Sequence, residues 1–293
     1  MKNITSINKL SRDEIIDLID FTDELKIKNK NGIEYKPLSG KTIITSFPPT
    51  SLITKLSFET GIFQLGAQAI NFPLNFEGKY LLEDIVGYLN CWIDCLVIRH
   101  PEQKVIERIT ELAEFPVINA MSKKFHPCEI LGDLHRIREL RKDLSSLKFV
   151  FIGEGANISN TWFEVAGRLD LNITQICPVG YEVSRDIFDF AAENSKGTVE
   201  VTNDIEMGIK NADIILTDGW PSGEEVQEKF MPYQINLEVL KLANKNCIVN
   251  PCPPFTRGNE VTEEVINSEH FIGYKIKENL FHMQKAILVK TMR

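Results

Sequence analysis

The chain has 293 residues, 43% of them hydrophobic and 25% charged, with 33 Lys and Arg against 41 Asp and Glu and a formal net charge of −8. That length allows one large or two medium domains, the composition is ordinary for a soluble globular protein, and the acidic excess argues against nucleic acid as the main partner. No apolar run reaches the roughly 18 residues of a membrane span, and the opening MKNITSINKLSRDEIIDLID lacks an apolar signal core, so a cytoplasmic protein with no membrane partner is expected.

Residues 11–30 read as an amphipathic helix carrying Ile15, Ile16, Leu18, Ile19, Phe21 and Leu25, and Ser11 with Glu14 makes a capping box. KTIITSF is a buried strand. It runs into FPPTSLITK, where Ser51 is placed as the N-cap of a helix bearing Leu56, Ile62, Phe63 and Leu65. GKYLLEDIVGYLNCWIDCLVIRH reads as a helix ending in the strand CLVIR, with Cys91 and Cys95 one turn apart in the helix. PVINA is a further strand, and 126–145 a long helix that turns charged at HRIRELRKDLSS. The six cysteines, with no C-x-x-C pair, are expected to be reduced and mostly in the core.

A second unit starts at LKFVFIGEGANISNTWFEVAGRLDLNITQICP, a strand, glycine turn, helix and strand. GTVEVTND, ADIILTDGW and CIVNPCPPFTRG continue the alternation, and the tail from about 274 is helical again. Alternation throughout predicts an α/β protein with parallel sheets covered on both faces, divided near 143–147. Such sheets hold ligands at the carboxyl ends of their strands. Those ends are the loops at 47–54, 99–100, 119–129, 153–160, 217–224 and 250–258.

The polar residues of these loops admit more than one use. Ser51 either caps its helix or joins the free backbone N–H groups there in holding an anion. His126, Glu129 and Asp133 share a helix face; H-x-x-E is too common to specify a metal, none is expected, and His126 suits a donor to a carbonyl oxygen or an anion. FIGEGANIS has two glycines but no glycine in the third place of a dinucleotide fingerprint, where Ser159 follows Ile158, so no nicotinamide cofactor is expected. Asp218 binds an ammonium group or merely ends its strand. Cys252, set among three prolines, is a fixed thiol or a small buried residue, and Arg257 suits a carboxylate or phosphate.

Taken in order, SLITKLSFE, FHPCEILGDL, FIGEGANISNTW, CPVGYE, TDGWPSGE, PCPPFTRGNEVTEEVI and ENLFHMQKAIL resemble the motifs of the aspartate/ornithine carbamoyltransferase family over nearly the whole chain. The resemblance implies two doubly wound parallel-sheet domains. Residues 1–145 form a carbamoyl-phosphate domain, completed by a C-terminal helix (274–293) packing back on it, and 146–273 an amino-acid domain. It implies a homotrimer with shared active sites, no cofactor, and attack of an amine on the carbamoyl carbon with phosphate leaving. By the matched positions, Ser51, Leu52, Ile53 and Thr54 fall in the phosphate loop. Arg99, His126, Glu129 and Arg257 complete the donor site, with His126 at the carbamoyl oxygen. Asn157, Asp218 and Ser222 would hold an amino acid, and Cys252 would lie beside the reacting amine, as in the ornithine branch. Arg99, His126, Cys252 and Arg257 are the expected catalytic set.

The departures fall mainly on the donor site. Ile53 stands where the family has an arginine, Lys55 offers partial replacement, and Glu129 stands where it has glutamine. Either the Glu129 carboxyl is raised in pKa or it faces a cation. Pro251 replaces a histidine, one residue is missing after Ser222, and GKYLLEDIV lacks the polar residues a neighbouring subunit usually contributes. Taken alone, the changes at 53 and 129 make the pocket less positive. They leave open a silent paralogue that binds an amino acid, or a different reaction such as lyase or amidine chemistry.

Overall fold

The first long helix begins where its capping residues put it. In the computed structural model, which describes residues 1–74 and 78–293, α1 spans Arg12–Lys30. The Ser11 hydroxyl accepts from the Glu14 N–H at 3.1 Å and the Glu14 carboxylate accepts from the Ser11 N–H at 2.8 Å, satisfying two donors that a helix start leaves open.

There follow β1 (Thr42–Ser46), α2 (Ile53–Gln64), β2 (Gln68–Asn71), α3 (Leu82–Asn90), β3 (Cys95–Arg99), α4 (Gln103–Leu112), β4 (Val117–Met121) and α5 (Pro127–Leu140). Then come β5 (Lys148–Ile152), α6 (Asn157–Leu169), β6 (Asn172–Ile176), α7 (Arg185–Asn194), β7 (Val199–Thr202), α8 (Ile205–Ile209), β8 (Ile214–Thr217), α9 (Glu224–Phe230), α10 (Leu237–Leu240), β9 (Ile248–Pro251), α11 (Glu263–Ile266) and α12 (Ile276–Met292). The chain divides into two units, Met1–Leu140 with Ile276–Arg293, and Arg141–Lys275.

The first unit holds a parallel sheet in the order β2-β1-β3-β4. Its inner strands are apolar runs buried on both faces: Cys95, Leu96, Val97 and Ile98 are at most 1% exposed. The second unit holds a parallel sheet in the order β7-β6-β5-β8-β9, centred on the equally buried Phe149–Ile152. In each sheet the strand order reverses once, between β1 and β3 and between β5 and β8. That reversal opens a crevice at the carboxyl ends, where such sheets place ligands.

The last helix, α12, packs on α1, α2 and α5 within the first unit. At its crossing with α5, a Cβ on Gly132 would lie 2.8 Å from the Leu280 Cα, so the two helices meet this closely only over glycine. A polar cluster continues the contact. His135 Nε2 lies 2.8 Å from Asp23, Asn279 Nδ2 lies 2.6 Å from His135 Nδ1 and 2.8 Å from Glu139, and Lys26 pairs with Glu139 at 2.7 Å. Burial would raise the Glu139 carboxyl, but bonds from Lys26, Asn279 and Arg136 hold it down at about 2.

Two local expectations are corrected. Cys91 and Cys95 do not share a helix: Cys91 follows α3, and buried Cys95 opens β3. The chain leaves the helix between them because the Asp94 N–H donates to the Thr42 carbonyl at 2.9 Å and its carboxylate accepts from the Thr42 N–H at 2.9 Å, which docks the segment on β1. None of the six cysteines is in a disulfide, and five of them are buried. The helix expected to reach 145 stops at Leu140, because Asp143 turns the backbone by accepting from the Ser145 N–H at 3.1 Å and hydroxyl at 2.7 Å. Among the described residues no helix is long and apolar enough to cross a membrane.

Candidate active site

In the first unit the site grows from the reversal between β1 and β3. After β1, Pro48 and Pro49 stiffen the chain, and the Ser51 N–H donates to the Pro48 carbonyl at 3.0 Å, closing a turn. The turn delays the helix. It starts at Ile53 with Leu52 in the capping position and no side-chain cap. Ser51 therefore is not the N-cap expected of it, and its buried hydroxyl instead accepts from Arg99 Nη1 at 3.5 Å. Arg99 ends β3, so the loop after β1 and the end of its neighbour β3 supply the two partners. Thr54 is buried in the first turn of α2, Ile53 half-buried, and Leu52 67% exposed. Burial lowers the Arg99 pKa somewhat.

His126 precedes α5 and is buried; its carbonyl accepts from the Ile130 N–H at 3.3 Å. Burial pulls its imidazole down to about 4, with Glu129 opposing and Lys277 and Arg99 reinforcing the shift. The ring is thus neutral near pH 7 and keeps one N–H to donate. Glu129, in the first turn of α5, is 3% exposed and forms a close ion pair with Lys277 from the first turn of α12. Burial would raise the Glu129 carboxyl, yet the charges of Lys277 and His126 leave it below its ordinary value. Of the two outcomes expected for Glu129, the structure takes the second: the carboxylate faces a cation. The charge balance read from positions 53 and 129 alone must therefore be corrected by one positive charge, from a residue 148 positions away. Of His126, Glu129 and Asp133, which share a helix face, Glu129 is engaged by Lys277.

In the second unit, Asn157, Asp218 and Cys252 follow or open from the adjacent strand ends β5, β8 and β9. Asn157 starts α6 and is buried. A Cβ on Gly155 would lie 2.2 Å from the Glu182 carbonyl oxygen, and the Gly155 N–H donates to the Tyr181 carbonyl at 2.7 Å. Glycine is needed here for contact with the 181–183 backbone. Ser159, in the first turn of α6, accepts from the Ala156 N–H at 2.7 Å and donates to the Glu154 carbonyl at 2.8 Å. Gln175, not singled out in the sequence, ties both loops. Its amide donates to the Gly153 and Tyr181 carbonyls at 3.0 and 3.1 Å and its oxygen accepts from the Val183 N–H at 2.8 Å. The strand NITQI also carries Asn172 and Thr174, so nothing in the sequence sets Gln175 apart.

Asp218, half-buried just past β8, accepts from the Gly219 N–H at 2.9 Å. The Cys252 N–H donates to the Thr217 carbonyl at 2.8 Å, which holds the buried thiol residue beside the end of β8. Ser222 is exposed. Arg257 is exposed too, with Nη1 on Glu263 at 2.8 Å and Nη2 on the Tyr274 hydroxyl at 3.2 Å. The structure thus groups Ser51, Arg99, His126 and Glu129 in one unit and Asn157, Asp218 and Cys252 at neighbouring strand ends of the other. Ser222 and Arg257 lie on exposed loops.

Comparison with known proteins covers the same two stretches. The model for "Aspartate/ornithine carbamoyltransferase, carbamoyl-P binding domain" matches residues 2–139, and that for "Aspartate/ornithine carbamoyltransferase, Asp/Orn binding domain" matches 145–291. The ornithine carbamoyltransferase of Geobacter sulfurreducens is 32% identical, with all of both chains covered. That of Chlorobaculum tepidum is 35% identical over 95% of this chain and 86% of its own. Among solved structures, ornithine carbamoyltransferase from Pyrococcus furiosus superposes with a TM-score of 0.96 at 29% identity, covering 99% of this chain and 97% of its own.

Proposed function

The chain belongs to the aspartate/ornithine carbamoyltransferase family, and from that premise we propose that it transfers the carbamoyl group of carbamoyl phosphate to the side-chain amine of ornithine or a close analogue. The observation that carries this reading is the contact of Arg99 with Ser51 at the strand reversal of the first unit, with a neutral His126 in the same electrostatic cluster. A phosphate needs cationic and hydrogen-bond donors. A carbonyl about to be attacked needs a donor on its oxygen, and a neutral imidazole N–H provides one.

In this reading Ser51, Thr54, Arg99 and the free backbone N–H groups at the start of α2, around Leu52 and Ile53, take the phosphate. His126 donates to the carbamoyl oxygen, and Arg257 acts on the donor as its matched position implies. Asn157, Asp218 and Ser222 hold the α-amino and α-carboxylate groups, and Cys252 lies beside the reacting amine. The amine lone pair forms the new C–N bond, the bond from carbon to the phosphate oxygen breaks, phosphate leaves with that electron pair, and the nitrogen gives up a proton. Since the donor is already activated, rate comes from positioning and charge. A cytoplasmic homotrimer completes the proposal.

Ile53 favours a second reading, a silent paralogue that binds an amino acid alone, because an aliphatic chain replaces a donor-site cation. One assay separates the two: ureido product from carbamoyl phosphate with ornithine and a panel of other amines. Turnover with an ornithine-like amine is expected. Absence of turnover with every amine at high enzyme concentration, together with thermal stabilisation by an amino acid but none by carbamoyl phosphate, would overturn the first reading in favour of the second.

A further inference from the structure

A lysine in the first turn of a helix sits at the end of the helix dipole that disfavours a cation. Lys277 occupies that place in α12, where Glu129 holds it. Structure alone gives little reason for the pair: a buried ion pair is seldom more stabilising than neutral packing, and neutral side chains at 129 and 277 together would leave no charge to compensate. The two side chains are also unequally covered, Glu129 at 4% exposure and Lys277 at 20%. The carboxylate is enclosed while the ammonium stem keeps access to solvent and ligands. The ammonium lies close enough to His126 to act on its titration, as does Arg99, which touches Ser51. Meanwhile the first turn of α2 carries Ile53, Thr54 and Lys55 and no arginine.

We propose that Lys277 is a donor-binding residue of this chain, a cation supplied from α12 in place of the one absent at Ile53, with Glu129 as the positioning residue that holds it beside His126. The ligand recognised is a phosphate-bearing carbamoyl donor, so the inference rests on the function proposed above. It gives the two unusual donor-site residues one account. The loss at position 53 is made up from another helix, and the acid at 129 is the anchor that this replacement requires. Both ammonium and guanidinium carry one charge, but the lysine acts as a point charge and not as a fork.

The test removes the pair as a neutral unit, so that no uncompensated charge remains. Full-length wild type and the double variant Glu129→Gln/Lys277→Gln are titrated calorimetrically with carbamoyl phosphate and with inorganic phosphate. Kinetics are recorded for donor and acceptor separately, and thermal midpoints check the fold. Loss of one charge-assisted contact predicts donor binding weaker by about 10- to 100-fold, with the acceptor KM within about twofold. Lys277→Arg, with Glu129 kept as its anchor, is expected to retain most of the binding. A double variant that binds carbamoyl phosphate as tightly as wild type makes the pair purely structural and overturns the inference while leaving the proposed function standing. An arginine variant no better than the double-glutamine one counts against it equally. If wild type itself binds neither carbamoyl phosphate nor phosphate, the proposed function falls, and this inference with it.

Discussion

The candidate residues of the two units are built differently. In the first unit Ser51, His126 and Glu129 are buried, and the partners of Ser51 and Glu129 are the half-buried Arg99 and Lys277. In the second, Asn157 and Cys252 are buried at strand ends, but Ser222 and Arg257 stand on exposed loops, where Arg257 meets Glu263, Tyr274 and the Phe255 ring. A substitution in the first setting leaves a charge or a donor in a place water cannot reach, so it demands a matching change nearby. Glu129 with Lys277 is such a matched change. A substitution in the second setting is relieved by solvent, and its neighbours need not answer it.

The largest effect should follow from breaking the buried side. His126→Ala removes the proposed donor to the carbamoyl oxygen, and we expect kcat to fall by about a hundredfold or more, on the order of 3 kcal/mol, with circular dichroism unchanged. A loss confined to KM would show that His126 binds the ground state and transition state alike.

Acid should divide the two units. Burial depresses His126 and His282 to about 4 from an ordinary 6.5. Between those values the unfolded chain takes up protons that the folded one refuses. The stability these rings contribute is therefore complete above about pH 6.5 and lost as pH falls toward 4. At pH 5 the loss is roughly 1 to 2 kcal/mol for each ring. In the second unit burial raises Glu154 and Glu260. Their folded forms hold a proton more readily than the unfolded chain does, so the penalty they impose at neutral pH is relieved on acidification. Hydrogen exchange at pH 7 and pH 5 should show amides of α5 and α12 losing protection before those of β5 and β8. Equal loss in both units would remove the distinction.

Much of the fold was legible, because each signal was local: the capping box at Ser11 and Glu14, the apolar runs of the inner strands, and the glycine turn before α6. β2 was not, since Gln68–Asn71 is an edge strand with mostly exposed side chains and no apolar alternation to read. The start of α2 was misplaced because the sequence shows a serine before a helix but not the carbonyl of Pro48 that captures its N–H. At the candidate site, the spacing of His126 and Glu129 was plain, and so was the choice at Glu129 between a raised pKa and a facing cation. Which cation was not, because Lys277 lies far away in sequence and only the packing of α12 on α5 brings it there. Gln175 escaped for a similar reason: its three bonds are to backbone, and backbone leaves no mark in a sequence.

Packing offers a sharper probe of the second unit. Gly155→Ala would place a Cβ 2.2 Å from the Glu182 carbonyl oxygen and 2.4 Å from the Val183 nitrogen. Backbone atoms on both sides must move, at a cost of about 1 to 3 kcal/mol. Because Asn157 lies two residues on, the amino-acid KM should rise while donor binding stays within a factor of two. A lower thermal midpoint with an unchanged amino-acid KM would mean that this loop is scaffold and that Asn157 does not touch the substrate.

The smallest effect is expected at the exposed pair. The Arg257 and Glu263 side chains are 38% and 61% exposed, and their 2.8 Å contact is open to water and salt. Such pairs contribute at most about 1 kcal/mol, so Glu263→Gln should shift the thermal midpoint barely at all. Its use lies in the contrast with the buried pair. Glu129→Gln alone removes a buried carboxylate from a largely covered cation, and its effect on stability and donor binding should be several-fold larger and less changed by added salt. Glu263→Gln frees a cation in solvent, and any change it makes in substrate binding should fade as salt rises. If instead Glu263→Gln alters donor binding as strongly as Glu129→Gln does, and does so at high salt, then Arg257 is held in place by Glu263 much as Lys277 is by Glu129. The difference drawn between an enclosed donor side and a solvent-relieved loop would then not hold.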